Sequence, residues 1–599
     1  MSHPNRRAAR FMPRVICAFT SLALLAACTP SRDADGSGAK TPDAATQGTV
    51  MPGTAAPNVT PPAADSTVAR TTRPEPQALV EPSTLDAPPP PPHPHPATTP
   101  ARESYAGTTA RRMVPAPAPG SYLPPAAQES RDRYSKYTEN PVRITREAPL
   151  ATFGVDVDTG SYTHVRRMLS MGKLPPADAV RAEEFINYFD YGYTPPANRD
   201  VPFSITTELA PAPWNPKRQL LMVGIQGWRA EPSAMPPANL VLLVDTSGSM
   251  AGPDRLPLIQ AAMRQLVGQL RAQDRVAIVT YAGSAGVALP STPGDKKAEI
   301  LAAIDALRAA GSTNGSAGLE LAYNEAARGF IDKGVNRILL ASDGDFNVNT
   351  TDIDALKERI SVQRKRGIGL TTLGVGSGNF NEALAQQLAN SGNGSYHYLD
   401  NLQEARRVLV SQIGATLYTI AKDAKVQVEF NPAFVAEYRL IGYEKRALAS
   451  EDFNNDQVDA GEIGAGASVT ALFEITPVGS DAPSVDPLRY GDPKGSADTG
   501  SSANELAMVK VRYQRPEGGP SQLVSRPVPT RADAAPSDRL SQAAAAGAFA
   551  QWLRGGKYLA GYTPADIAAQ IRQHRPNAGQ SALADLVDVA GSLGTPAQR

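Results

Sequence analysis

From 238 to 421 apolar runs of strand length alternate with stretches of helical periodicity. Strands are predicted at 240–244, 275–281, 337–341 and 369–375, and helices at 256–270, 295–307, 318–330, 353–366 and 382–389. Near-continuous apolar strands separated by amphipathic helices imply a mostly parallel sheet covered on both faces, a doubly wound α/β unit. The short run 287–289 reads as an antiparallel edge strand. A strand at 395–399 and one helix from 403 to about 417 close the unit.

The flanks have a different period. Segments 203–209 and 220–226 before the unit, and 425–430, 435–442, 468–475, 506–513 and 523–528 after it, read as strands. Several alternate polar and apolar residues, as in Val426-Gln427-Val428-Glu429-Phe430, which suits antiparallel sheets with one wet face. Because the ends of a doubly wound domain can lie close together, the flanking strands are expected to form one sandwich-like, β-rich frame into which the central unit is inserted. Helices are predicted at 162–171 and 177–188 ahead of the frame, and at 538–553, 564–572 and 582–593 as a small helical tail.

Composition changes the picture mainly at the amino terminus. Of 54 prolines, 22 lie between Thr29 and Ser130, a stretch with eight valines and leucines and neither isoleucine nor phenylalanine. Such a segment cannot bury enough apolar surface to offset its ordering entropy and reads as a disordered, extended tether. Before it, Arg6, Arg7, Arg10 and Arg14 precede an apolar run too short to span a bilayer, the layout of a secretory signal peptide. That run ends Leu25-Ala26-Ala27-Cys28, which resembles a bacterial lipobox. The resemblance implies acylation of Cys28 and anchoring in a membrane by its lipid chains, and Thr29 after it implies sorting to the outer membrane, on its periplasmic or outer face. The expected organisation is a signal peptide at 1–28, a tether at 29–135, frame segments at 136–236 and 422–530, the central domain at 237–421 and the helical region at 531–599.

Lysine plus arginine and aspartate plus glutamate are balanced at 59 each, so no global field favours nucleic acid. Cysteine is confined to Cys17 and Cys28, which excludes thiol chemistry and cysteine zinc sites from the folded part. In an open parallel sheet, ligands bind beyond the carboxyl ends of the strands. Three loops there are rich in oxygen: Asp245-Thr246-Ser247-Gly248-Ser249, Gly311-Ser312-Thr313-Asn314-Gly315 and Ser342-Asp343-Gly344-Asp345. Carboxylate and hydroxyl donors without histidine or cysteine select hard cations, magnesium first, with calcium or manganese as alternatives.

The series Asp245-x-Ser247-x-Ser249, Thr313, Asp343-Gly344 resembles the metal-ion-dependent adhesion site of von Willebrand factor type A domains. The resemblance implies that the hydroxyls of Ser247, Ser249 and Thr313 and the carboxylates of Asp245 and Asp343 hold one divalent cation, directly or through water. Further segments, Glu183-Glu184-Phe185-Ile186-Asn187-Tyr188-Phe189, Gly311-Ser312-Thr313-Asn314-Gly315 and Arg439-Leu440-Ile441-Gly442-Tyr443-Glu444, resemble the YfbK-like group of bacterial type A lipoproteins. Together these imply a lipid-anchored envelope protein, not an enzyme, that binds a protein partner through its cation, with the partner's acidic side chain as the last ligand. A structural scaffold in which the metal only stiffens the loops is the alternative, and a metal-assisted hydrolase with Asp345 as its nearest base ranks third.

Other motifs lead elsewhere. Asp156-Val157-Asp158-Thr159-Gly160-Ser161 resembles half of an aspartic protease dyad, but its nominal partner, Asp498-Thr499-Gly500, is not in a strand; the segment is expected to be a turn capping the helix near Tyr162. His164, His397 and His574 lie in separate contexts and read as packing or surface residues.

Overall fold

A computed structural model describes residues 132–344, 353–378, 380–485 and 504–596. Cys28, the signal segment, most of the expected tether, Asp345 and Asp498 lie outside them.

The chain begins with β1 (Arg143–Ile144), β2 (Leu150–Gly154), α1 (Gly160–Ser170), α2 (Ala182–Asn187), β3 (Phe203–Ala212) and β4 (Asn215–Gly227). The central unit runs β5 (Ala238–Asp245), α3 (Leu256–Gln269), β6 (Arg275–Tyr281), β7 (Ala285–Pro293), α4 (Lys297–Ala306), α5 (Gly315–Arg328), β8 (Val335–Ser342), α6 (Ile353–Lys365), β9 (Ile368–Gly374), α7 (Glu382–Ser391), β10 (Tyr396–Tyr398), α8 (Leu402–Arg406) and α9 (Ile413–Leu417). Then follow β11 (Thr419–Phe430), β12 (Val435–Ile441), β13 (Gly461–Gly464), β14 (Ser468–Pro477), β15 (Glu505–Gln514), β16 (Gln522–Pro529), α10 (Asp538–Leu553), α11 (Pro564–Gln573) and α12 (Ala578–Ser592).

The central sheet has the order β10-β9-β8-β5-β6-β7, parallel except for β7, which pairs antiparallel with β6. All eight residues of β5 are buried. Leu240, Leu242 and Val244 face the core under α3, α4 and the 405–417 segment, while Val241 and Leu243 face the core under α5, α6 and α7. That burial on both faces is what erases polar alternation from β5.

The flanking strands form two antiparallel sheets, β1-β12-β14-β4-β3 and β13-β11-β15-β16, with β2 also paired to β11. One apolar core holds residues from both, including Val223, Ile225 and Phe473 from the first and Val426, Val428 and Val509 from the second. The frame is therefore a sandwich built from chain on both sides of the central unit. On its other face the first sheet turns Leu220, Met222, Ile441 and Leu472 toward α1, α2, α10, α11 and α12. Alanines 543–546 of α10 are fully buried, and their small side chains let that helix lie close to the sheet. The helical tail is thus a packed third layer.

Several expectations need correction. The predicted helix at 403–417 is broken by a π-helical turn at Arg407–Ser411, and the predicted helix at 177–188 is a 3₁₀ turn, Ala177–Ala179, followed by the short α2. β11 starts at Thr419, inside the expected limit of the central domain. The last residues assigned to the tether are already folded: Asp132 Oδ1 accepts the backbone N–H groups of Gly378 and Phe380 at 3.0 and 2.8 Å, and the Arg133 N–H donates to Phe380 O at 2.9 Å.

Buried charge joins the central unit to the frame. Across the contact Arg181 pairs with Glu382 at the start of α7 and Arg166 binds Asp400 at 2.6 Å, while on the frame's side Arg181 also pairs with Glu184, and Asp156 and Asp158 receive the Arg446 guanidinium at 2.9 and 3.3 Å. The segment around Asp156 is therefore not a helix cap; Thr159 makes no side-chain capping bond, and the Asp158 carboxylate instead accepts the Tyr396 N–H at 2.8 Å. At the same junction α1 touches β10 without clearance, because a Cβ on Gly160 would fall 2.1 Å from the Tyr396 ring. Glu183 is fully buried beside Glu444, Asp156 and Glu184, and desolvation foremost, with those charges adding, pushes it up to about 8.

Two outcomes are expected. Gly160→Ala must displace the buried Tyr396 ring and should cost about 1–3 kcal/mol of stability in a denaturant titration. Folded Glu183 keeps its proton up to about 8 while the unfolded side chain releases it near 4.5, so the folded state binds more protons across that window and loses stability as pH rises through it. Glu183→Gln removes this loss: its melting midpoint should exceed the parent's at about pH 8 and match it near pH 4.5.

Candidate metal centre

β5 and β8 lie side by side at the middle of the sheet, and their connections leave to opposite sides, so a crevice opens beyond their carboxyl ends. Asp245 closes β5 and is fully buried. Its Oδ1 accepts the Ser247 N–H at 2.9 Å, which turns the loop back on itself, and its Oδ2 accepts the Ser342 hydroxyl at 3.2 Å, which ties the end of β8 to the end of β5. Ser247 and Ser249 bring their hydroxyl oxygens to 3.0 Å from each other.

The second loop is sewn by backbone to the first and to the segment after β6. Gly248 N–H donates to Gly311 O at 2.9 Å, Ala310 N–H to Thr246 O at 2.8 Å and Asn314 N–H to Ala282 O at 2.6 Å. Gly311 adopts a left-handed φ of 85°, which lets its carbonyl face the first loop without Cβ strain. These bonds hold Thr313, half-buried, between fixed points on both sides. Asp343, 2 % exposed, follows Ser342 directly, and its charge acts on Asp245. Burial, with Asp343 adding, pushes Asp245 up to about 6, against the hydrogen bonds from Ser247 and Ser342 that hold it down.

The structure thus brings Asp245, Ser247 and Ser249 into one hydrogen-bonded cluster, sets Asp343 within electrostatic reach of it and fixes the loop of Thr313 against it. Two buried carboxylates sharing one crevice with hydroxyl oxygens fit a hard divalent cation, whose charge would relieve their mutual repulsion.

Three residues of this crevice escaped sequence reasoning. Ser342 was visible only as a neighbour of Asp343. Tyr281, buried at the end of β6, has its phenol held far above its usual range by desolvation and by Asp245, and an apolar-looking strand terminus gives no sign of that. Arg255 stands just before α3, and its Nε lies 3.8 Å from Asp343 Oδ2; a cation ten residues past the first aspartate was the available signal.

A second carboxylate cluster fits a metal less well. Asp156, Asp158 and Glu184 offer oxygens within 4.8 Å of one another. Those oxygens already accept Arg446, Arg181, Gln386 and the backbone N–H groups of Asp158, Tyr396 and Ser161. Beside it a polar cavity of about 270 Å³ lies near the amino ends of the parallel strands, away from the crevice. Two buried histidines are structural: His164 is enclosed by Tyr134, Phe380 and Tyr398, and burial lowers it to about 4, while His397 bonds Ser395 at 2.8 Å and is lowered to about 3 for the same reason.

Comparison with known proteins identifies the family. Residues 239–411 match the von Willebrand factor type A domain, 128–222 match a model described as von Willebrand factor, and 415–593 match the C-terminal part of uncharacterized protein YfbK. Uncharacterized protein YfbK of Escherichia coli K12 is 49% identical over 470 residues, 77% of this chain and 81% of that protein. Uncharacterized protein sll0103 of Synechocystis is 26% identical over 300 residues, 49% of this chain and 65% of that protein. Among solved structures, a von Willebrand factor type A protein from Catenulispora acidiphila is similar over 67% of this chain and 91% of its own, at 15% identity and a TM-score of 0.38. Proximal thread matrix protein 1 of the mussel byssus, with a zinc-occupied metal-ion-dependent adhesion site, is similar over 30% of this chain and 45% of its own, at 22% identity and a TM-score of 0.24. By its identity to the Escherichia coli protein across most of both lengths, the chain belongs to the YfbK family, with a von Willebrand factor type A domain at its centre.

Proposed function

We propose that this protein is a cation-dependent binding module of the cell envelope. Asp245, Ser247, Ser249, Thr313 and Asp343 hold one divalent cation, magnesium by preference with calcium or manganese as substitutes, and a protein partner completes the coordination with an acidic side chain. The observation that carries the reading is the hydrogen-bonded cluster of Asp245, Ser247, Ser249 and Ser342 across the ends of β5 and β8, with Asp343 adjoining it. When bound, the cation supplies an exchangeable position for an anionic ligand; the residues here set its charge and orientation. In the same reading Cys28 is acylated, the protein is anchored in the outer membrane, and the tether holds the folded part away from it.

The scaffold alternative is weaker for a specific reason. The loops are already stitched by Gly248–Gly311, Thr246–Ala310 and Ala282–Asn314 backbone bonds, so their shape asks little of a metal.

Saturating magnesium at a hundred times its dissociation constant should stabilise the full chain by about 2.7 kcal/mol, read as a rise in melting midpoint. Asp245→Ala should abolish that rise, and with it the capture of partner from envelope extract, as should a chelator. Capture that persists in both cases rejects the reading. Palmitate labelling that is lost in Cys28→Ala checks the anchor separately.

A further inference from the structure

Arg255 is lodged in the wall of the crevice. It immediately precedes α3, and its guanidinium joins three separate loops. Nη1 donates to the carbonyl of Ser249, Nη2 donates to the carbonyl of Ser377 at 2.9 Å, and Nε lies 3.8 Å from Asp343 Oδ2. The room for it is cut from the loop after β9: Gly376 has φ 69°, and a Cβ there would fall 2.3 Å from Arg255 Nε. The side chain remains 23 % exposed, so it borders the mouth of the site while one of its nitrogens is enclosed.

Charge decides what such a residue does. Asp245 and Asp343 together carry two negative charges, which a divalent cation alone would balance. Arg255 adds a third positive charge, so the loaded site would hold a net positive charge and draw in one anion.

We propose that Arg255 makes cation binding and acidic-ligand binding depend on each other. With no cation present, the guanidinium supplies part of the positive charge that Asp343 needs, and so competes with the metal. With the cation bound, the same guanidinium is a second anchor for an incoming carboxylate, offering its charge and the remaining hydrogens of Nη1 and Nη2. The metal is then held weakly alone and firmly only together with an acidic ligand, a coupling that is reciprocal by linkage. This deepens the proposed function and rests on it.

The probe is manganese, titrated calorimetrically into the full chain with and without millimolar acetate. The parent should bind manganese weakly, and acetate should tighten it. Arg255→Gln should bind manganese alone about tenfold more tightly, the scale set by one charge beside a ligating carboxylate at an effective permittivity near 20 after a discount for exposure. Acetate should then add little. Arg255→Lys keeps the charge and loses the bridging, and should stay within about twofold of the parent. If Arg255→Gln loses its cooperative melt, Arg255→Met, which keeps the aliphatic stem, takes its place. The inference falls if the neutral variant binds manganese no better than the parent, if acetate tightens both equally, or if lysine behaves like glutamine. If neither parent nor neutral variant binds manganese, the cation reading itself falls and takes this one with it.

Discussion

A carboxylate removed from water has to be given a positive charge or hydrogen-bond donors, and two of the buried groups in this molecule meet that demand differently. At the junction of frame and central domain, Asp156, Asp158 and Glu184 are matched by Arg446 and Arg181. At the carboxyl ends of β5 and β8, Asp245 receives neutral donors, among them Ser247 and Ser342, and is pushed upward by burial and by Asp343. The first group is settled by fixed side chains and acts as a fastening. The second meets Arg255 at 3.8 Å from Asp343 Oδ2 and opens beyond the carboxyl ends of the parallel strands, where a ligand can reach it, which is why a binding role is argued there.

The insertion explains why the fastening is needed. A domain joined to its host by two chain crossings is free to swing unless a further contact holds it. Here the crossings are 228–237 and residue 418, and the added contacts come from α1, whose Gly160 and Thr163 meet Tyr396 and Tyr398 of β10, and from the arginine pairs. Folded residues at 132–133 add another: Asp132 accepts the backbone N–H groups of Gly378 and Phe380, and the Arg133 N–H donates to Phe380 O.

What could be read from the sequence follows from how local the signal is. β5 and β8 are continuous apolar runs, and each is followed at once by its site residues, so Asp245, Ser247, Ser249 and Asp343 could be located from one strand and the turn after it. The sandwich was visible in the alternation of Val426 to Phe430. β13, four residues with two glycines, carries too little pattern to register, and β2 lacks polar alternation because four of its five residues are buried. The junction was invisible for a different reason: Asp156, Arg181, Glu382 and Arg446 are spread over almost three hundred positions, and each alone resembles a surface charge. The Asp156–Ser161 segment was misread as a cap because a short acidic turn before a helix fits that role locally, whereas its partners, Arg446 and Tyr396, come from distant parts of the chain.

These separate features meet in one loop. Gly344, after the last site aspartate, has φ 90°, and a Cβ on it would stand 2.4 Å from the Asn381 backbone nitrogen. The next residue, Glu382, is paired with Arg181 of the frame, and the preceding one, Phe380, is bound by Asp132 and Arg133. Ser377 in the same loop accepts Arg255, which faces Asp343. One short segment is thus a wall of the crevice on one side and a seat for the frame on the other. Close packing leaves no slack between those two roles, so the frame helps fix the distance between Asp343 and Arg255, and the crevice takes its shape from the whole folded chain and not from the central domain alone.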